Sequence, residues 1–138
     1  MISTFSGPPA PQPAQAQFTT MALLQPEVLV SLERQGGEAL VNKLILLFCQ
    51  LALQRVASLA PAAALQRPEE ARLAAHGLAP LAAQVGAPRL RALAEAAEDA
   101  LRSNDRVALA HYHDLLVGCC QQVCEALQSR QALRAIGA

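Results

Sequence analysis

Three histidines, four cysteines and a few paired carboxylates are the side chains here that could carry chemistry. His76 has the most suggestive setting, Ala74-Ala75-His76-Gly77-Leu78, continued by Pro80-Leu81-Ala82-Ala83-Gln84-Val85-Gly86-Ala87. On a 3.6-residue period Arg72, Leu73, Ala79, Pro80 and Ala83 share its face. Ala71, Ala74, Ala75, Leu78, Leu81, Ala82 and Val85 take the opposite, apolar side. The imidazole is therefore expected on the wet side of its helix, ringed mostly by small residues. A molecule outside the chain could then reach it.

The other reactive residues read as structural. His111 shares a face with Asp114, Gly118, Gln122 and Glu125, a solvated surface, whereas His113 aligns with Leu109, Leu116 and Cys120 as a boundary residue. Cys120 and Cys124 lie one turn apart, but zinc wants four converging ligands, and adjacent Cys119 and Cys120 point in different directions. Together with Cys49 they are expected as buried thiols, reduced, and outside any disulfide framework. Glu69-Glu70 reads as a helix start and Glu98-Asp99 as a solvated face. No nucleophile elbow or glycine-rich phosphate loop appears, so hydrolase, kinase and nucleotide-binding chemistry lack a site.

The elements that must position His76 follow from composition and punctuation. Of 138 residues, 53% are hydrophobic and only 3% aromatic, which makes a core of Leu, Ala and Val and favours helix over strand. Lys+Arg and Asp+Glu are 11 each, so the basic excess that nucleic acid requires is missing. The longest apolar block, Leu44 to Cys49, is too short to span a membrane. No charged start precedes an apolar core at the N-terminus, and the cytoplasm is the expected location.

Residues 1–20, with Gly7, Pro8, Pro9, Pro11 and Pro13, are expected to form a disordered tail, and Met21 is a possible true start. Residues 22–135 then form the domain. A short helix over Gln25 to Arg34 ends at Gly36-Gly37, with Leu29, Leu32 and Val28 inward. A second runs from Glu38 to Leu59, roughly 33 Å at ~1.5 Å per residue. Its expected stripe is Leu40, Leu44, Leu47, Phe48, Leu51 and Ala52, with Pro61 and the loop to Gln66 ending it. Pro68 opens the His76 helix, which stops at Gly86. Pro88 opens the next, burying Leu90, Leu93, Ala94, Ala97 and Leu101. Ser103-Asn104-Asp105 makes the turn, and Asp105 caps a last helix that buries Ala108, Tyr112, Leu115, Leu116, Cys119, Val123 and Leu127. Short connections make neighbours antiparallel, so the expected fold is an all-α, up-down four-helix bundle with a short extra N-terminal helix.

His76-x-Leu78, with Gly86-Ala87 ten and eleven residues later and Leu90 beyond, resembles the histidine-containing phosphotransfer (HPt) domains of two-component phosphorelays. The resemblance takes in Leu32 to Phe48, Arg72-Leu73-Ala74-Ala75 and Gly86-Ala87-Pro88-Arg89-Leu90, and spans about residues 22 to 130. It implies that His76 accepts a phosphoryl group from one receiver-domain aspartyl phosphate and passes it to another receiver's aspartate. Leu78 and Gly86 would be structural motif positions. Arg72, Leu73, Ala79, Pro80 and Ala83 would border the phosphoryl group and the docked receiver. The implied partners are response-regulator receiver domains and a hybrid sensor histidine kinase, with the chain acting as a monomer. It would need no cofactor of its own, Mg²⁺ belonging to the receiver.

Three positions depart from the family motif, roughly His-x-Leu-Lys-Gly-Ser/Ala-Ala. Its lysine is Ala79 here, and its glycine is Pro80, which removes an N–H and should loosen the helix at His76. Leu81 also replaces a small residue. Arg72, one turn before His76, is either a substitute cation for phosphohistidine or an ordinary solvated arginine. The departures leave two functions open: an active carrier, or a module that docks a receiver or kinase without carrying phosphate.

Overall fold

A computed structural model of the chain describes residues 13–64 and 67–137, with side chains described over 17–59 and 67–137. The described residues form helices and no strand: α1 (Pro13–Thr20), α2 (Pro26–Ala64), α3 (Pro68–Gln84), α4 (Pro88–Arg102) and α5 (Arg106–Gly137). α2 packs on α3 and α5, and α4 packs on the same two, which closes a four-helix ring around one apolar core. α1 lies against α4.

The breaks between helices have local chemical causes. Gly37 interrupts α2 with φ 81° and ψ 175°, separating a short first arm from the long core arm. Proline stands in the first turn of both α3 and α4, where a missing N–H costs nothing. Gly86 ends α3 at φ 72°; Ala87 N–H donates to Ala82 O at 2.9 Å and Gly86 N–H to Ala83 O at 3.2 Å, the paired bonds of a Schellman stop. Asn104, at φ 53°, closes α4 in the same way, with Asp105 N–H on Ala100 O at 2.9 Å. The Asp105 side chain then accepts Ala108 N–H at 3.0 Å and caps α5, as expected.

Several expectations need correction. Residues 1–12 of the expected tail lie outside the described residues, but 13–20 form α1, whose Phe18 is buried edge-on against Tyr112 at 6.0 Å. Arg89 holds this segment through Met21 O at 2.8 Å and Thr19 O at 3.4 Å. The proline-rich composition of the segment masks the apolar anchor Phe18 near its end. α2 also runs through Pro61 to Ala64, because the three alanines that follow are the best helix formers and need only one more turn. Residues 65 and 66 of the expected loop lie outside the described residues.

The buried stripe of α2 is Val41, Ile45, Phe48, Cys49, Ala52, Val56 and Leu59. Leu40, Leu47 and Leu51 of the expected stripe are at least a third exposed, as are Leu46 and Leu53. The helix is apolar on nearly every face, so periodicity alone does not set its register. For the same reason Pro26–Leu59 is long and apolar enough to cross a membrane by length and composition, contrary to the expectation from its short leucine block. A core helix of a soluble protein passes the same test, and here the stripe packs into the bundle.

Candidate functional site

α3 carries His76 near its middle, and its alanines let it approach its neighbours closely. Ala71, Ala75, Leu78 and Ala82 face the core, which turns His76 outward with 63% of its side chain exposed. The helix continues through Pro80, four residues on. Proline cannot supply the N–H that would bond the His76 carbonyl, so that carbonyl loses its helical donor without the helix ending.

The ring is not free to turn. Its Nδ1 lies 3.0 Å from Glu98 Oε2 and 3.2 Å from Oε1. Glu98 comes from α4 and is 7% exposed, in place of the solvated surface expected for it. Arg102, one turn later, donates to the same carboxylate at 2.9 Å, and Arg72 of α3 approaches it at 3.6 Å. Two guanidinium groups thus compensate a carboxylate that burial would otherwise penalise. A carboxylate accepts only, so Nδ1 carries the proton it donates to Glu98. The other nitrogen, Nε2, then holds an open lone pair, the arrangement an imidazole nucleophile needs.

Sequence reasoning missed Glu98, although a signal was there. It continues the buried stripe of Leu90, Leu93, Ala94 and Ala97 on α4, and Arg102 stands four residues away. A carboxylate on an apolar stripe with a basic residue one turn on is poorly explained as a wet surface.

The remaining expected positions separate by depth. Leu73, Pro80 and Ala83 are exposed on the His76 face, and Ala79 is half-buried against the core. Leu78 is buried, and Gly86 is buried where the N-terminal segment docks, its carbonyl accepting Gln25 N–H at 2.7 Å. Arg72 is engaged: Glu69 accepts from it at 2.5 Å, and that contact holds the Glu69 carboxyl below its usual range and pushes Arg72 up.

His111 differs from its expected solvated place. Its Nε2 is shielded from water and has no hydrogen-bond partner among the described residues, and its ring lies 5.8 Å from Tyr112. The four thiols are free and buried. Burial pushes Cys119 up to about 11 and, together with a contact to Cys124, pushes Cys49 up to about 12. Among the described residues no group of three or more His, Cys, Asp or Glu is placed to hold a metal ion.

A four-helix bundle that presents an exposed histidine is the architecture that the resemblance to phosphotransfer domains implied. The Hpt domain family model matches residues 43–130, well over half the chain and inclusive of His76, Gly86 and Glu98. The chain belongs to that family, and membership carries a phosphotransfer-type role in a phosphorelay, where such domains meet receiver domains and kinases. Comparisons with curated proteins and with solved structures returned no match.

Proposed function

We propose that this chain is an active phosphocarrier in which His76 Nε2 takes a phosphoryl group from the aspartyl phosphate of one receiver domain and delivers it to an aspartate of another. The observation that carries the reading is the contact of Nδ1 with buried Glu98, which leaves Nε2 as the exposed nucleophile. In the forward step the acyl-phosphate P–O bond breaks as the Nε2–P bond forms, and the donor aspartate leaves as a carboxylate. The Nδ1 proton stays in its bond to Glu98, so the ring becomes cationic opposite a carboxylate that offsets the new charge. Transfer to the second receiver reverses the same bonds.

Leu73, Pro80 and Ala83, with Ala79 and Arg72 at their edge, form the face on which a receiver docks in this reading. The receiver supplies Mg²⁺, the phosphorylated donor arises from a hybrid sensor histidine kinase, and the carrier acts as a cytoplasmic monomer. Incubation with a phosphorylated receiver tests the proposal, with His76→Gln as control. Acid-labile, base-stable label on the wild type alone is the expected result. Binding of the receiver with no label transferred would favour the docking module instead. A sizing measurement checks the monomer.

A further inference from the structure

Arg55 of α2 is a cation without a counter-charge among the described residues. It is half-buried, its Nε is shielded from water, and it has no hydrogen-bond or ion-pair partner among the described residues. Arg34, Lys43 and Arg106 stand in solvent and need no partner, but a shielded guanidinium N–H is costly unless something meets it.

Its location is specific. The guanidinium lies across α3 at Gly77, the residue next to His76: a Cβ there would sit 2.6 Å from Nη1 and 2.9 Å from Cζ. α3 is otherwise rich in alanine, the better helix former, so the space that glycine leaves is occupied by Arg55 rather than wasted. Arg55 also lines a cleft of about 460 Å³ with Leu51, Gln54, Ser58, Leu73 and Glu70. Glu70 does not neutralise it, since that carboxylate pairs with Arg67 at 3.7 Å. Arg72 is already held by Glu69 and Glu98.

We propose that Arg55 is the anion-holding residue of the His76 site, its guanidinium taking the oxygens of the phosphoryl group carried on Nε2. The inference rests on the reading of His76 as the acceptor. Once the Nε2–P bond forms, the product has two poles: a cationic ring facing Glu98 and a dianionic phosphoryl group facing outward. Arg55 approaches α3 from the α2 side at Gly77, the residue next to His76, whereas Glu98 approaches from α4, and a guanidinium suits the planar pairs of oxygens a phosphoryl group offers.

The test uses phosphoramidate as the phosphoryl donor, which transfers to imidazole with loss of ammonia and requires no receiver. Wild type, His76→Gln, Arg55→Gln, Arg55→Lys and Gly77→Ala are labelled in parallel, and formation and loss of phosphohistidine are followed by ³¹P NMR. Circular dichroism confirms that each variant is folded. Arg55→Gln is expected to form phosphohistidine roughly tenfold more slowly or lose it correspondingly faster, the worth of one charge-assisted contact. Arg55→Lys should recover part of the effect. Gly77→Ala displaces the guanidinium without removing it and should reproduce the defect while retaining helicity. Wild-type formation and loss in both Arg55→Gln and Gly77→Ala overturns the role of Arg55 and leaves His76 standing. An unlabelled wild type, or equal label in His76→Gln, overturns both.

Discussion

Glu98 joins His76 of α3 to Arg102 of its own helix, and its removal has two separable effects. Glu98→Ala takes away the acceptor that fixes the imidazole tautomer, and it releases two arginines from a shared partner. His76 and Arg102 are more than half exposed, so solvent screens much of the electrostatic gain, and the expected loss of stability is only about 1 kcal/mol. Phosphorylation of His76 should suffer more, slowing roughly tenfold, because a loss of about 1.4 kcal/mol of orientation acts directly on the reacting ring. Glu98→Gln keeps an oxygen for Nδ1–H and should fall between. Urea titration and the rate of label incorporation read the two effects separately; equal loss in both would reduce Glu98 to a packing residue.

At the scale of the elements, the ends of the helices are better defined than their registers. Gly86 shows why an end can be read from sequence: φ of 72° suits glycine, and a Cβ there would also meet Val28 at 2.8 Å and Gln25 O at 2.9 Å. Gly86→Ala is therefore expected to cost at least about 2 kcal/mol, the left-handed penalty plus displacement of the N-terminal segment. Gly118, in the exposed face of α5 with nothing within 4 Å, is the control: Gly118→Ala should stabilise by about 0.5–1 kcal/mol. Thermal melts of the two variants should move in opposite directions. Prolines at 68 and 88, glycines at 37 and 86 and the Asn104 turn all announce breaks through backbone chemistry, so α3, α4 and the start of α5 were legible. The register of α2 was not, because its leucines continue round the helix and only contact with α3 and α5 selects Val41, Ile45 and Val56. The site divides in the same way. His76 was visible from its own helix, whereas Glu98 reaches it, and Arg55 reaches the neighbouring Gly77, across helix packing, which local periodicity does not encode.

On the scale of the whole molecule, an aromatic-poor core leaves room for thiols, and those thiols set a limit on alkaline stability. Cys119 is held up to about 11 by burial, and Cys49 up to about 12 by burial reinforced by Cys124, against an ordinary value of 9.0. Both are neutral in the folded bundle at pH values where the unfolded chain already ionises them. The folded state therefore binds more protons than the unfolded one in that window, and stability falls with rising pH. Below about pH 9 these two groups leave stability unchanged; from there towards 11 and 12 their contribution is lost. Urea midpoints between pH 7 and 11 should stay level at first and then decline, and the decline should be shallower in a Cys49→Ala, Cys119→Ala variant. The same protection predicts slow alkylation of both thiols in the native protein at pH 8 and rapid alkylation in urea. Fast native labelling at either position would mean that the bundle opens α2 from α5, or α4 from α5, far more readily than its packed core implies.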